Sequence, residues 1–222
     1  MLTWEEIWPP YGVRVTEGDL VLTVIDDGDV PGLVEIALAG IQPPGEMPFA
    51  MPWTDDDPAA LPANNVRYYS SVRAGFTPAR FDLLFAVRVD GQLVGVQGLH
   101  AQDFGVTRTL ETGSWLGRSF QRRGTGTRMR RAVCAFAFDG LGAAEVTSGA
   151  FLDNPASLAV SRKVGYRPNG TVRFKRKTSV AVNQRLVLTP DTFVRGRPVQ
   201  LEGVPALRRF LELEVTPLRS LE

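Results

Sequence analysis

Gln121-Arg122-Arg123-Gly124-Thr125-Gly126-Thr127 carries the strongest structural signal in this chain. Before it, Glu111 to Arg118 reads as a strand; after it, a helical pattern runs on from Thr125. A strand that ends in a glycine turn and opens a helix leaves backbone N–H groups unpaired at the positive end of a helix dipole, which suits phosphate. Arginines at 118, 122, 123, 128, 130 and 131 crowd the same stretch. The formal net charge is only +1, so this basic cluster is a local feature. It predicts a ligand with several phosphate charges rather than general attraction to nucleic acid or membrane.

Outward from that turn, the composition is that of a globular protein. The chain has 222 residues, 44% hydrophobic and 22% charged, enough to bury a core without covalent staples. Cys134 is the only cysteine, so no intramolecular disulfide forms, as suits a reducing cytoplasm. It lies in the apolar run Ala132-Val133-Cys134-Ala135-Phe136 and reads as a buried, inert thiol. Met1-Leu2-Thr3-Trp4-Glu5-Glu6 lacks the basic-then-apolar order of a secretory signal, and no apolar run approaches membrane-spanning length. The expectation is a cytoplasmic protein with no membrane or nucleic-acid partner.

The remaining segments alternate. Leu20 to Ile25 reads as a strand, and Asp26-Asp27-Gly28-Asp29 leads into a helix over Val30 to Ala39. Ile41 to Pro62 is rich in proline; its Met47-to-Trp53 part reads as core or dimer contact, with the wall of a substrate pocket as the alternative. Asp55-Asp56-Asp57 starts a helix over Ala59 to Ala74. Phe81 to Val89 and Gln92 to His100 form a hairpin about Asp90-Gly91. Arg128 to Phe138 has helical spacing, Ala143 to Phe151 is a strand, and Asp153-Asn154-Pro155 starts a helix that stops at Gly165. Thr171 to Lys177 and Ser179 to Leu188 are strands; Thr189-Pro190-Asp191 opens a short helix, and Gly203 to Glu214 is helical. Arg173-Phe174-Lys175-Arg176-Lys177 reads as a solvated strand face.

This order resembles the GNAT superfamily of acyl-CoA-dependent N-acyltransferases. Gln121-x-x-Gly124-x-Gly126 is similar to its pyrophosphate turn. Asp153-Asn154-Pro155-Ala156-Ser157, followed by Arg162-Lys163-Val164-Gly165-Tyr166-Arg167, resembles the branch that acetylates ribosomal-protein N-termini. So does Glu111-Thr112-Gly113-Ser114-Trp115-Leu116-Gly117. Met47 to Trp53 and Ser114 to Gly117 look like an actinobacterial-type subgroup associated with acyl groups bulkier than acetyl. The resemblance implies one α/β domain over 1–222, matching best at about 84–167, with a mixed, mostly antiparallel central sheet flanked by helices. One position departs from the branch: Arg128 stands where a glutamate is usual, in a first helical turn that disfavours a cation.

By that resemblance, Trp115, Leu116, Gly117 and Arg118 contact the pantetheine arm of acetyl-CoA or another acyl-CoA. Gln121 belongs to the phosphate turn, and the N–H groups of Arg122, Arg123, Gly124, Thr125, Gly126 and Thr127 cradle the pyrophosphate. Arg122 or Arg123 also meets a CoA phosphate. Asn154 holds the arm, and capping its helix is compatible with that. Ser157 is the proton donor to the leaving thiolate, with Ser161 as fallback, and Glu111 is the base, acting through water. Each has a plain structural rival: a surface carboxylate for Glu111, a backbone-bonded hydroxyl for Ser157. His100, the only histidine, reads as structural, and no metal site is expected. The implied reaction moves an acetyl or succinyl group to an amine of a protein N-terminus or small molecule. The alternatives are a non-catalytic acyl-CoA-binding module and a nucleotide-binding protein of another kind, although the turn lacks a P-loop ending. A homodimer is expected from the resemblance and the apolar tail.

Overall fold

Thr3 begins the regular structure. Its hydroxyl accepts from the Glu6 N–H and the Glu6 carboxylate accepts from the Thr3 N–H, a capping box that starts α1 (Trp4–Ile7). The computed structural model describes residues 1–213. The elements that follow are β1 (Arg14–Glu17), β2 (Leu20–Val24), α2 (Val30–Leu38), α3 (Leu61–Ala74), β3 (Arg80–Val89) and β4 (Gln92–Gln102). Then come the single-turn α4 (Phe104–Thr107), β5 (Thr109–Leu116), α5 (Thr125–Ala135), β6 (Glu145–Phe151), α6 (Pro155–Val164), β7 (Arg167–Arg176), β8 (Ser179–Leu188), β9 (Gln200–Glu202) and α7 (Val204–Phe210).

Among the described residues nine strands form one sheet in the order β7-β8-β6-β5-β4-β3-β2-β1-β9. Neighbours are antiparallel except β5 and β6, which run parallel, with α5 as their crossover. The expected mixed, mostly antiparallel sheet between helices is what forms. Asp90 and Gly91, with φ of 49° and 77°, make the tight turn joining β3 to β4. A bulge at Val94 then shifts the register by one residue, between Val87 and Arg88 on the facing strand.

Alternation along the strands supplies an apolar face on each side. On one side Leu22, Leu83, Phe85, Leu99 and Leu110 pack with Met129, Val133 and Phe136 of α5 and the turn that extends it. The Phe85 and Phe136 rings meet edge-on at 5.8 Å. Burying side chains of this size contributes roughly 1.5–3 kcal/mol each. On the other side Ala86 and Val96 pack with Leu33 and Ala37 of α2 and Leu61 of α3.

Several boundaries differ from the sequence reading. Thr189-Pro190-Asp191 opens a turn rather than a helix: the Thr192 hydroxyl accepts from the Thr189 N–H, and the chain then has no regular structure until β9. α7 ends at Phe210, and Glu214 lies outside the described residues. The short strands β1 and β9, the last two at one end of the sheet, were not expected, and β7 begins at Arg167, four residues before the expected Thr171.

Candidate active site

Gly124, with φ of 85°, caps α5, and Arg122 is also in the left-handed region at 61°. This turn leaves the amides of Arg122, Arg123, Gly124, Thr125 and Gly126 without an acceptor among the described residues, whereas Thr127 and Arg128 both donate back to the Gly124 carbonyl. Five unpaired amides at a helix mouth suit the oxygens of a diphosphate. Gln121 works from inside the turn: its Nε2 donates to the carbonyls of Ile41 (2.6 Å) and Leu116 (2.9 Å), tying turn and strand to the preceding loop.

The six arginines divide. Arg118, Arg122 and Arg123 are exposed at the turn. Helical rotation carries the other three away from it. Arg128 donates to Glu17 Oε1 (3.0 Å) and Asp19 Oδ1 (2.6 Å), which answers the cation's position in the first helical turn. These partners hold its pKa above the usual value, Asp19 being the larger cause. Arg131 donates to the Lys163 carbonyl. Arg130 is buried beneath the sheet.

β5 and β6 pair from Thr109–Glu145 to Thr112–Ser148 and then part. Gly113 to Leu116 pair only with β4, and Gly149 to Phe151 only with β8, so the sheet splits beside the turn. Arg130 bridges the fork, donating to Ser148 Oγ (3.1 Å) on one strand and Ser114 Oγ (2.9 Å) on the other. Gly95 and Gly117 make room for this geometry. A Cβ on Gly95 would stand 2.3 Å from the Trp115 carbonyl oxygen, and one on Gly117 would stand 2.5 Å from Ile36 Cγ2.

On the face away from Arg130, the split sheet borders a cavity of about 610 Å³. Its polar row is set by strand register: Asp82 on β3 pairs with His100 on β4, and His100 pairs with Glu111 on β5. Residues paired across strands share a face. The Asp82 carboxylate lies 2.9 Å from His100 Nδ1, and Arg185 of β8 approaches Glu111 at 3.8 Å. One row further along, Gly98 faces Gly113; Leu84 packs over Gly98, and the floor at Gly113 is bare of side chains. Phe49 and Trp53 from the proline-rich loop, Tyr69 from α3, and Trp115 form the walls. The Trp53 and Trp115 rings lie 5.8 Å apart. Burial pushes the Tyr69 phenol above its usual pKa, so it stays an uncharged hydroxyl.

The proline-rich loop is fastened from across the site. Arg176, at the tip of β7, donates to the Met47 carbonyl (2.9 Å) and pairs with Asp153, while Lys177 pairs with Asp55. Thus Phe49, Met51 and Trp53 line the cavity, although Met47 itself is core.

The acetyltransferase (GNAT) domain family matches residues 19–167. The chain belongs to the GNAT acetyltransferase family. YdaF of Bacillus subtilis (strain 168), whose name assigns it provisionally to ribosomal N-acetylation, is 33% identical over 84 residues, covering 38% of this chain and 45% of that relative. The chain therefore matches less than half the length of that curated relative. Among solved structures, Mycobacterium smegmatis RimJ in complex with CoA-disulfide is 21% identical, with a TM-score of 0.71 over 91% of this chain and 95% of that one. Spermidine N-acetyltransferase from Vibrio cholerae, in complex with CoA and spermine, is 12% identical, with a TM-score of 0.62 over 81% and 100%. These two likenesses show the shared fold.

GNAT enzymes use acetyl-CoA as cosubstrate, and the unpaired amides and split sheet of this chain fit that molecule. Glu111, Gly113, Ser114 and Trp115 meet at the cavity, whereas Asn154 and Ser157 do not line it. Asn154 caps α6 by accepting from the Ser157 N–H at 3.0 Å, and the Ser157 hydroxyl has no partner among the described residues. Ser161 is buried, its hydroxyl likewise unpaired. Asp82 and His100 also line the cavity, a placement the sequence does not announce; the one available signal was the hairpin that brings their strands together. Among the described residues no helix is long and apolar enough to cross a membrane.

Proposed function

We propose that this chain is an N-acyltransferase that moves an acetyl group, or a bulkier acyl group such as succinyl, from a CoA thioester to the primary amine of a small molecule or protein N-terminus. The observation that carries the reading is the junction of three features: unpaired amides at a helix mouth, a sheet that parts beside them, and an acid-lined cavity at the parting.

In this reading the amides of Arg122 to Gly126 bind the diphosphate, with the exposed Arg122 and Arg123 as its cations. Trp115 to Arg118 lie along the pantetheine arm and aim the thioester at the cavity. Glu111, directly or through a water, takes a proton from the incoming ammonium, and His100 stands beside it as a second acceptor. The freed amine forms the C–N bond and the C–S bond breaks; the attacking nitrogen then sheds its second proton, which reaches the departing thiolate through the Ser157 hydroxyl, Ser157 giving its own proton to sulfur and regaining one from nitrogen by way of water. The assembly in this reading is a homodimer, which light scattering checks.

The test is thiol release from acetyl-CoA and succinyl-CoA with a panel of amines, alongside calorimetry with CoA. Arg122→Ala/Arg123→Ala weakens CoA binding roughly tenfold or more, as loss of two charge-assisted contacts implies. Tight CoA binding without turnover on any amine would instead identify an acyl-CoA-binding module, and absence of CoA binding removes the whole reading.

A further inference from the structure

We propose that the cavity selects a compact hydrophobic primary amine, of the arylalkylamine class, over a polyamine or an extended polypeptide N-terminus; this rests on the acyltransferase reading of the same site. Three observations carry it.

The first is where the charge lies. Asp82, His100 and Glu111 occupy one cross-strand row at the sheet floor, so the cavity has a polar end for a single ammonium. The acid that lines the cavity away from that row, Asp56, already accepts from Asn64 Nδ2 at 2.9 Å. A polyamine needs acids spaced along its length, because each further ammonium loses its water on entry. This lining does not supply them.

The second is the nature of the walls. Phe49, Trp53, Tyr69 and Trp115 present ring faces and edges, joined by Leu84 and Val96. Phe49 and Trp53 lie 5.4 Å apart and Trp53 and Trp115 5.8 Å, a run of touching rings that offers an aromatic body favourable tilted contacts. Gly113 leaves the floor open beneath such a ring, since a Cβ there would meet nothing within 4 Å, while Leu84 covers Gly98 with its Cδ2 3.0 Å from where a Cβ would stand.

The third is the roof. About 610 Å³ is the size of a small-molecule site. The loop above it is held at Met47 by Arg176, at Asp55 by Lys177, and internally by Gln42 Nε2 donating to Thr54 Oγ1 at 2.6 Å. These ties fix Phe49 and Trp53 in place, so the apolar wall has a set width that suits one ring rather than the varied side chains of a polypeptide.

The experiment compares kcat/KM for phenethylamine, spermidine and an alanine-initiated octapeptide, using the full chain with acetyl-CoA and with succinyl-CoA. Phenethylamine is expected to exceed both others by roughly tenfold or more, the discrimination an apolar pocket achieves. Trp53→Ala is expected to raise the phenethylamine KM by roughly tenfold while acetyl-CoA affinity is unchanged, and Trp53→Phe to recover most of the loss. Equal or faster turnover of spermidine or the peptide overturns the selectivity while leaving the acyltransferase reading intact. So does a Trp53→Ala effect that is the same for all three amines. Failure of both acyl-CoAs to bind removes both.

Discussion

Asp82 and His100 face each other across β3 and β4, carboxylate oxygen to Nδ1 at 2.9 Å, with Glu111 next along the same cross-strand row. A carboxylate at Nδ1 keeps the proton on that nitrogen and leaves Nε2 as the acceptor. Two proton acceptors side by side can act as one relay or as independent bases. We expect Glu111→Gln and His100→Gln each to lower kcat by roughly a hundredfold, with acyl-CoA KM unchanged. In a single relay the double variant costs about as much as the worse single one. Multiplied losses would assign independent roles, and wild-type kcat in either single variant would take that residue off the proton's path.

Gly113 tests whether the cavity floor is used. Its place in the strand leaves open space where a side chain would be, so Gly113→Ala meets no clash. Restricting the unfolded chain then gives a gain of about 0.4–1 kcal/mol. The new methyl nevertheless enters the cavity. The expected outcome is an unchanged or higher melting temperature together with a raised KM for bulky amines. Gly95→Ala is the contrast: its Cβ would sit 2.3 Å from a backbone oxygen, so it lowers the melting temperature. Equal thermal losses for the two variants would refute this account of the floor.

Local signals found the glycine turn into α5, the α6 cap and the β3–β4 hairpin, because each depends on residues a few positions apart. The Asp82–His100 pair was hidden by a single residue. Counting outward from the Asp90-Gly91 turn without a bulge places His100 opposite Phe81; the extra residue at Val94 moves it opposite Asp82. A slip of one reverses the face of every side chain beyond it, and nothing in the alternation announces it. The partners of Arg128 were out of reach for another reason: Glu17 and Asp19 lie on and beside β1, more than a hundred residues away in the chain. The role of the proline-rich loop depends on Arg176 and Lys177, which only the folded sheet brings to it.

Arg128 makes a second separation possible, between support and cofactor binding. Glu17 is 3% exposed, and Arg128 bonds both its carboxylate and its carbonyl. Arg128→Ala leaves that acid buried without its cation, at a cost of about 2 kcal/mol after discounting for the partly exposed guanidinium. For a chain of this size that is a fall of roughly 4–8 °C in melting temperature. CoA affinity should change less than about twofold, because the guanidinium is turned away from the phosphate turn. Glu17→Gln/Arg128→Ala should regain part of the stability. A large loss of CoA affinity at unchanged melting temperature would place Arg128 in the phosphate site instead.

Cys134 lies wholly inside, its sulfur 3.4 Å from the Tyr166 hydroxyl. Burial pushes its thiol from 9.0 up to about 11, outweighing the opposing effects of the Tyr166 contact and the Arg130 charge. Two consequences follow. At pH 8 roughly one molecule in a thousand carries the thiolate, and solvent does not reach it, so iodoacetamide should label the native chain only through unfolding. Labelling should therefore accelerate with urea in step with the loss of structure. The second concerns pH. Below 9 the thiol is protonated in both folded and unfolded chains and contributes no pH dependence. Above 9 the unfolded chain gives up its proton and the folded chain does not, so stability falls as pH rises toward 11, by on the order of 2 kcal/mol. Cys134→Ala should show a shallower decline over that interval, whatever its stability at neutral pH. Rapid labelling of the folded protein at pH 8, or parallel declines for the two proteins, would show that the thiol is neither sealed nor shifted.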